Sequence, residues 1–231
     1  MKPVAIVTGG AGGIGRAVLA RLADSYTTVS WDLSRDAGAD HALAVDVTDA
    51  AALEQAAAAH GPIAALVVNA GILGPVARTE ELDPADIRRV IETNLVSAFL
   101  TLRAVIPHML GNAGPVRGRI VLMSSLQAKE GTALAGPYAA AKAGMIALAK
   151  VAAKENAASG ILVNAVTPTV VRTAMEREMT GERRQFLLDK IPMGRFAETA
   201  EVAELVAWLC GPLCTFSTGA VFDLSGGRAT S

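Results

Sequence analysis

Short, continuously apolar runs alternate with longer alanine-rich segments along most of the chain. The apolar runs predict seven β-strands, at residues 4–7, 28–31, 42–45, 65–68, 119–123, 162–166 and 220–223. Continuous rather than alternating apolar residues are typical of parallel strands that are covered on both faces. The longer segments predict helices at residues 14–22, 50–59, 84–110, 138–158 and 200–209. This order predicts a doubly wound α/β fold built from βαβ units.

Two of the predicted helices begin at residues that favour a helix start. Asp83 followed by Pro84 predicts an N-cap with proline at the first helical position. Thr199, with Glu201 close behind, predicts a second start.

Residues 172–196 interrupt the alternation between the last two predicted strands. This segment contains Met175, Met179 and several glycine and proline residues, and it has weak strand character. Its position is compatible with a mobile substrate flap at about residues 172–196, and equally with an ordinary helical insertion.

The composition fits one α/β domain and argues against several classes of function. The chain has 231 residues, 52% of them apolar, which suffices for the buried core of a single domain spanning residues 1–231. A formal net charge of −1 and an aromatic content of 4% argue against nucleic acid and anionic membranes as partners. The first residues lack the pattern of a signal peptide, so we expect a cytoplasmic protein.

The chain shows no pattern of a disulfide framework or a metal site. Its two cysteines are Cys210 and Cys214, with no CxxC motif and no accompanying histidine cluster. We expect both to be small buried side chains near a helix end, and we expect no metal.

A glycine-rich turn follows the first predicted strand and opens the first predicted helix. Its sequence, TGGAGGIG at residues 8–15, brings backbone N–H groups and a helix N-terminus towards a phosphate group. Glycine also lets the backbone approach a pyrophosphate closely. A glycine cluster alone would be weak evidence for a dinucleotide site, but this position after the first strand strengthens it.

Polar residues follow the next three predicted strands. Asp32 ends the second strand, where an acid accepts hydrogen bonds from the adenosine ribose and repels the extra phosphate of NADP. NAD is therefore the expected cofactor and NADP the less favoured one, although the nearby Arg35 could weaken this preference. Asp46 follows the third strand and Asn69-Ala70-Gly71 the fourth. Taken alone, each of these fits a turn better than a ligand contact.

The candidate chemistry lies in the second half of the chain. Tyr138 and Lys142 are four residues apart on one face of a predicted helix. A tyrosine with a pKa near ~10 needs its phenolate stabilised to act as an acid–base catalyst near neutral pH, and a lysine ammonium supplies such stabilisation. Ser125 ends the fifth strand and could hydrogen-bond a substrate oxygen, although serines at strand ends are usually turn formers.

These features together resemble the short-chain dehydrogenase/reductase family. The motifs Thr8-Gly-x-x-x-Gly13-x-Gly15, Asn69-Ala-Gly71, Asn94, Ser125 and Tyr138-x-x-x-Lys142 have its order and spacing, over essentially the whole chain. The resemblance implies a single Rossmann-type domain with a seven-stranded parallel sheet and helices on both faces. It also implies an NAD(P)-dependent oxidoreductase that interconverts a secondary alcohol and a ketone.

The resemblance also implies roles for individual residues. Tyr138 would be the general acid/base, Ser125 would position the substrate oxygen, and Asn94 would hold a water in a proton relay. Lys142 would lower the pKa of Tyr138 and bind the nicotinamide ribose, and Thr173 would contact the carboxamide. The full set of implied cofactor contacts is Gly9, Gly13, Ile14, Gly15, Asp32, Asp46, Val47, Asn69, Ala70, Gly71, Tyr138, Lys142, Pro168, Val171 and Thr173.

One position departs from the family pattern. The family usually has Pro-Gly after the sixth strand, whereas this chain has Pro168-Thr169. Because threonine does not adopt positive φ cheaply, we expect an altered turn beside the nicotinamide pocket.

Three functions remain open at this point. The first is an NAD-linked dehydrogenase of a small secondary alcohol, such as a sugar acid or a cyclic diol. The second is an NADPH-dependent 3-oxoacyl-carrier-protein reductase, with Arg117 and Arg119 as candidate carrier contacts. The third is a non-catalytic dinucleotide-binding sensor, which the intact Ser–Tyr–Lys set disfavours.

We also expect a homotetramer, with a small molecule as the substrate partner. The resemblance implies the stoichiometry. The sequence adds that small residues at 96–105 and 139–153 permit close helix packing between subunits.

Overall fold

The computed structural model describes residues 2–173 and 180–229. The strands within these ranges are Val4–Thr8 (β1), Thr27–Asp32 (β2), His41–Ala44 (β3), Ile63–Val68 (β4), Gly118–Met123 (β5), Ile161–Pro168 (β6) and Val221–Leu224 (β7). They form one seven-stranded sheet in the order β3-β2-β1-β4-β5-β6-β7, and every neighbouring pair is parallel. The predicted seven-stranded parallel sheet is confirmed.

Helices connect the strands. The α-helices among the described residues are Gly13–Leu22 (α1), Ala50–Ala58 (α2), Pro84–Ile91 (α3), Ser97–Leu110 (α4), Gln127–Glu130 (α5), Gly136–Asn156 (α6), Gly181–Leu188 (α7) and Thr199–Cys210 (α8). Short 3₁₀ turns lie at Thr79–Glu81 and Ala157–Ser159. The helix predicted at 84–110 is interrupted by a π-helical segment, Glu92–Val96, which joins α3 to α4.

Two apolar layers cover the sheet, as expected for a doubly wound fold. On one face, α2, α4 and α6 pack against the strands through residues such as Leu53, Leu102 and Met145. On the other face, α1 packs against α8 through residues such as Val18 and Val206. Because both faces are covered, the strands are apolar along their whole length, and all eight residues of β6 are buried.

Both predicted helix starts are confirmed, and the two helices are capped differently. The carboxylate of Asp83 accepts a hydrogen bond from the N–H of Ala85 at 2.7 Å, so Asp83 is the N-cap before Pro84. Thr199 is the first residue of α8 rather than its cap. Glu198 is the N-cap, because its N–H donates to the carboxylate of Glu201 at 2.8 Å in a capping box.

The described parts of the segment 172–196 lie between β6 and α8. Residues 174–179, which include Met175 and Met179, lie outside the described residues. Val171 and Ala197 form a parallel β-bridge at the two ends of this segment. Leu187, Ile191 and Phe196 form a small apolar cluster beneath it. The described part is therefore helical and anchored at its base.

The helical stretch Pro84–Leu110 is the candidate for a membrane span among the described residues, by length and composition only. In its most apolar window, 44% of the residues are buried inside the protein. The α4 part packs against α2 and the sheet through Leu102, Val105 and Met109. These three side chains thus belong to the core.

Candidate active site

The carboxyl ends of parallel strands lie at one edge of the sheet, and most of the predicted site residues follow these ends. In open α/β sheets, ligands bind at this edge where the strand order reverses. Here the order reverses between β1 and β4. The glycine-rich turn follows β1, Asn69 follows β4, and Ser125 follows β5.

The glycine-rich turn is folded too tightly to accept side chains at Gly9 and Gly15. Gly9 has a φ of 66°, and a Cβ there would lie 2.8 Å from the Cα of Ala70. A Cβ at Gly15 would collide with the carbonyl oxygen of Gly9 and would lie 2.7 Å from the Cα of Gly10. Glycine is therefore required where the first turn of α1 meets the loop.

The carboxylate of Asp32 holds the glycine-rich turn as well as its own strand end. Its Oδ2 accepts a hydrogen bond from the N–H of Ala11 at 3.0 Å, and its Oδ1 accepts one from the N–H of Ser34 at 3.0 Å. Arg16 donates from Nε to the carbonyl oxygen of Ala11 at 2.9 Å and pairs with the carboxylate of Asp36 at 3.1 Å. The nearest cation on this turn is thus already neutralised by Asp36.

Asn69 fastens the end of β4 to the end of β1. Its side-chain Nδ2 donates to the carbonyl oxygens of Thr8 at 3.2 Å and Gly9 at 3.0 Å. In return, the Thr8 hydroxyl accepts hydrogen bonds from the N–H groups of Asn69 and Ala70, at 3.0 and 3.1 Å. The side-chain amide of Asn69 therefore holds the glycine-rich turn in place. The family resemblance implied only a direct contact between Asn69 and the cofactor.

These residues fit a dinucleotide. Gly12 precedes α1, and no side chain caps the N-terminus of this ten-residue helix. Its first N–H groups are those of Gly13, Ile14 and Gly15, and an uncapped helix N-terminus of this kind favours a phosphate group. The close approach at Gly9 and Gly15 and the acid at Asp32 complete the features that a pyrophosphate and an adenosine ribose require.

Three other predicted cofactor residues differ in whether they contact this turn. The Asp46 carboxylate accepts hydrogen bonds from the N–H and hydroxyl of Thr48, at 2.9 and 2.7 Å, and these lower the pKa of Asp46. Val47 is buried. Thr173 does reach the turn, since a Cβ at Gly13 would lie 2.9 Å from its Cγ2. Asp46 therefore forms a turn of its own, whereas Thr173 closes over the start of α1.

Ser125, Tyr138 and Lys142 are brought together by β5 and α6. Lys142 is buried, its Nζ donates to the carbonyl oxygen of Met123 at 2.8 Å, and it lies 5.7 Å from the centroid of the Tyr138 ring. The Ser125 side chain lies near the Tyr138 phenol and acts on the pKa of Tyr138 in the lowering direction. The Ser125 hydroxyl also accepts a hydrogen bond from the N–H of Gln127 at 3.2 Å.

Burial dominates the electrostatics of this cluster. It lowers the pKa of Lys142 from 10.5 to about 8. It also raises the pKa of Tyr138, while Ser125 acts in the lowering direction. The lowering of the Tyr138 pKa expected of Lys142 together with a bound cofactor stays a prediction. Desolvation disfavours the phenolate, and Ser125 is the neighbour that opposes this effect.

Asn94 lies in the π-helical segment and is completely buried. Its Nδ2 donates to the carbonyl oxygens of Ile72 and Val90, both at 2.9 Å, and its Oδ1 accepts from the N–H of Ile72 at 3.2 Å. A Cβ at Gly71 would collide with this Oδ1 and would lie 3.4 Å from the Nζ of Lys142. Asn94, Gly71 and Lys142 are therefore adjacent, and Asn94 clamps the loop after β4. The proton relay expected of Asn94 stays a prediction.

The turn after β6 accommodates Thr169 without positive φ. Among the described non-glycine residues, Leu134 alone has a positive φ, of 69°. The N–H of Thr169 donates to the carbonyl oxygen of Leu224 at 3.1 Å, which ties the turn to β7. The carbonyl oxygen of Pro168 accepts from the N–H of Leu126 at 2.9 Å. The turn is thus held between Leu126, which follows Ser125, and the end of β7.

Two features on the substrate side were missed from the sequence. Leu134 lies in the loop before Tyr138, and its carbonyl oxygen accepts a hydrogen bond from the N–H of Ala77 at 3.1 Å. The Oε1 of Gln127 and the Oγ1 of Thr169 are buried without a hydrogen-bond partner. A leucine carries no sequence signal for positive φ, and an unpaired atom is visible only once its surroundings are known.

Comparison with known proteins also indicates an NAD(P)-dependent oxidoreductase. A family model described as enoyl-(acyl carrier protein) reductase matches residues 13–229. The chain is 38% identical to 2-dehydro-3-deoxy-L-rhamnonate dehydrogenase (NAD(+)) of Sphingomonas sp. strain SKA58, over 98% of this chain and 95% of that protein. It is 40% identical to cis-4-hydroxycyclohexanecarboxylate dehydrogenase of Sinomonas cyclohexanicum, over 97% and 95%.

Two further similarities are slightly more distant. The chain is 33% identical to 3-oxoacyl-[acyl-carrier-protein] reductase of Vibrio cholerae serotype O1, over 97% of this chain and 96% of that protein. The crystal structure of levodione reductase matches with a TM-score of 0.90 at 29% identity, over 98% and 97%. Similarity therefore extends over nearly the whole length of each of these proteins.

Proposed function

Because the chain belongs to the short-chain dehydrogenase/reductase family, we propose that it interconverts a secondary alcohol and a ketone with NAD as cofactor. The observation that carries this function is the convergence of the buried Ser125 and Lys142 on Tyr138, with the Lys142 Nζ 5.7 Å from the Tyr138 ring centroid. A phenol and a hydroxyl that converge on one point can bind the oxygen of a carbinol or a carbonyl. The bound cofactor supplies the hydride acceptor or donor.

Each residue of the cluster has a distinct task in this reaction. Tyr138 takes the alcohol proton at its phenolic oxygen during oxidation and returns it during reduction. Ser125 donates a hydrogen bond that orients the substrate oxygen towards Tyr138. Lys142 places a buried ammonium beside the phenol, and Asn94 fixes the loop at Gly71 that borders this ammonium. Together they hold one proton-transfer geometry at the edge of the sheet.

NAD is the preferred cofactor in this proposal. The Asp32 carboxylate lies against the glycine-rich turn, where a 2′-phosphate would meet a like charge. Arg16, which could otherwise attract that phosphate, is paired with Asp36. The name of the Sphingomonas relative also specifies NAD(+).

We propose a small hydroxylated acid as the substrate class. Both dehydrogenases compared above are named for substrates that carry a hydroxyl group and a carboxylate. The 3-oxoacyl-carrier-protein reductase alternative loses its support from Arg117 and Arg119. These arginines lie at the amino end of β5, whereas Ser125 follows its carboxyl end. At ~3.3 Å per residue this separates them from the site by roughly 20 Å.

We further propose a cytoplasmic homotetramer in which residues 1–231 form one domain and residues 172–196 act as a substrate flap. Phe99 on α4 and Val151 on α6 are about half exposed, and both lie in the small-residue segments expected to pair between subunits. Exposed apolar side chains on adjacent helices favour association. Light scattering at micromolar concentration tests this, and a monomer would contradict it.

A turnover screen tests the function. The purified protein is assayed with NAD and with NADP against sugar acids, cyclic hydroxy acids, simple secondary alcohols and a 3-oxoacyl thioester. We expect NAD reduction with at least one hydroxy acid and weaker turnover with NADP. Turnover of the thioester with NADPH above all others would favour the reductase, and no turnover with any of them would overturn the proposal.

A further inference from the structure

The catalytic serine is followed by a helix that is too short to be stable alone. Helix α5 has four residues, Gln127–Glu130, and it ends at Gly131 in the left-handed conformation. Isolated helices of this length do not persist in water. The N–H of Gln127 nevertheless donates to the Ser125 hydroxyl at 3.2 Å, so the position of α5 affects the orientation of that hydroxyl.

Two consecutive residues of α5 are bound by the C-terminal segment. Glu130 receives the Arg228 guanidinium, with Nε 3.1 Å from both carboxylate oxygens and Nη2 2.6 Å from Oε2. Lys129 lies 3.3 Å from the carboxylate of Asp223 at the end of β7. The Arg228 side chain is only 7% exposed, compared with 66% for Arg103 in the surface pair with Glu54. A forked contact between a largely buried guanidinium and a carboxylate is stronger and more directional than a pair that is exposed on both sides.

The C-terminal turn that carries Arg228 is itself firmly built. Ser225 is completely buried, and its hydroxyl accepts a hydrogen bond from the N–H of Ala229 at 3.0 Å. The N–H of Ser225 donates to the Asp223 carboxylate at 3.2 Å. On its other side, the carbonyl oxygen of Gly226 accepts from the N–H of Met193 at 3.2 Å. The turn therefore bridges α5 and the returning part of residues 172–196.

We propose that Arg228 is a positioning residue of the active site, acting through Glu130. The Arg228–Glu130 pair holds α5 against the end of the sheet, and α5 in turn orients Ser125. Through Gly226, the same C-terminal turn is linked to Met193 in the segment 172–196. This inference rests on the proposed function, because the orientation of Ser125 affects a rate only if Ser125 binds the reacting oxygen. Arg228 touches no reacting atom and acts only through α5.

The test compares Arg228→Gln, Glu130→Gln and the double variant with wild type. Arg21→Gln is the matched surface control, because Arg21 forms an exposed pair with Glu204. We expect Arg228→Gln to lower kcat roughly tenfold, as a modest misplacement of a catalytic group does. The Kd for NAD should stay within about twofold, because the glycine-rich turn lies at other strands. The double variant should be no worse than Arg228→Gln alone, since both changes remove one interaction. Arg21→Gln should match wild type.

A second measurement needs no turnover. Amide hydrogen exchange at residues 126–131 should be faster in Arg228→Gln than in wild type, and Arg228→Lys should restore part of the protection because it keeps the charge but loses the fork. Unchanged kcat and unchanged exchange in Arg228→Gln would overturn the inference, as would additive losses in the double variant. If the wild type turned over no substrate, the proposed function would fail while the exchange result would still decide whether Arg228 holds α5. If Arg228→Gln does not fold, the same comparisons are made with Arg228→Lys.

Discussion

The cofactor side and the substrate side of the sheet edge are built differently. On the cofactor side, Thr8, Asp32 and Asn69 direct their side chains at the backbone of the glycine-rich turn and its neighbours. On the substrate side, Gln127 and Thr169 bury oxygen atoms that have no partner, and Leu134 has positive φ. The glycine-rich turn is thus held by side chains of the chain itself, and the unpartnered Ser30 Oγ and Trp31 Nε1 lie within β2. The substrate side instead combines unsatisfied oxygen atoms at its loops with local backbone strain.

The difference follows from which elements supply each region. The cofactor side comes from the ends of β1, β2 and β4, which are neighbours in the sheet and are fixed by its hydrogen bonds. The substrate side comes from the longer connections after β5 and β6. A site for an invariant cofactor gains affinity from preorganisation, while a site that must admit and release a substrate needs groups whose partners arrive with it.

The largest expected effect is a loss of turnover caused by a change on the substrate side alone. Tyr138→Phe removes one hydroxyl and keeps the ring, so kcat should fall by roughly 10²-fold or more, the usual contribution of a positioned acid–base group. The Kd for NAD should change little, because the glycine-rich turn is untouched. Steady-state kinetics and calorimetric titration with NAD measure the two quantities. A folded variant with near wild-type turnover would show that Tyr138 has been assigned wrongly.

The next effect tests the cofactor side. Asp32→Ala should reduce the preference for NAD over NADP in kcat/KM by about tenfold or more, because a poorly solvated carboxylate no longer repels the 2′-phosphate. NAD binding should weaken as well, since the N–H of Ala11 loses its acceptor. Asp24→Ala, an exposed acid paired with Arg21, is the control and should keep the wild-type ratio. Equal use of both cofactors by the wild type would contradict this account.

A third prediction concerns the protonation of Tyr138. The chain has two tyrosines, Tyr26 and Tyr138, and burial raises the pKa of both. The difference in ultraviolet absorbance between wild type and Tyr138→Phe during alkaline titration isolates Tyr138, which should ionise above its usual pKa of 10.0 without cofactor.

Alcohol oxidation should then rise with pH through an apparent pKa that lies below the pKa of Tyr138 in the cofactor-free protein. Oxidation needs the phenolate, and the positive charge that arrives with the oxidised cofactor favours that form. The apparent pKa of turnover is compared with the pKa of Tyr138 in the cofactor-free protein. Equal values would show that the bound cofactor does not change the ionisation of Tyr138, contrary to this account.

The smallest effect concerns the strain at Leu134. Leucine with positive φ costs roughly 1–2 kcal/mol, and Leu134→Gly should recover up to about 1 kcal/mol after the added flexibility of the unfolded chain is subtracted. Leu213→Gly is the matched control, because Leu213 is also exposed but has no positive φ. Chemical denaturation should show stabilisation for the first variant and slight destabilisation for the second. A shift of both in the same direction would argue against strain at Leu134.

Local sequence determined most of the secondary structure and the positions of the chemical groups. All seven strands lie within two residues of their predicted ends, because continuous apolar runs and the turns between them are local signals. The glycine-rich turn, Asp32, Asn69, Ser125, Tyr138 and Lys142 were identified on the same basis. Their spacing is fixed by short segments, and a strand end or a helix face places them without further information.

Tertiary structure decided what these groups experience. Glu198 rather than Thr199 caps α8, and Arg117 and Arg119 lie at the opposite end of β5 from the site. The rise in the Tyr138 pKa likewise depends on burial by distant segments. Arg228 and Glu130 are 98 residues apart in sequence, yet they form the pair that fixes α5. Residues that are remote in sequence bury one another and form pairs only once the strands have assembled. No periodic pattern along the chain therefore encodes these interactions.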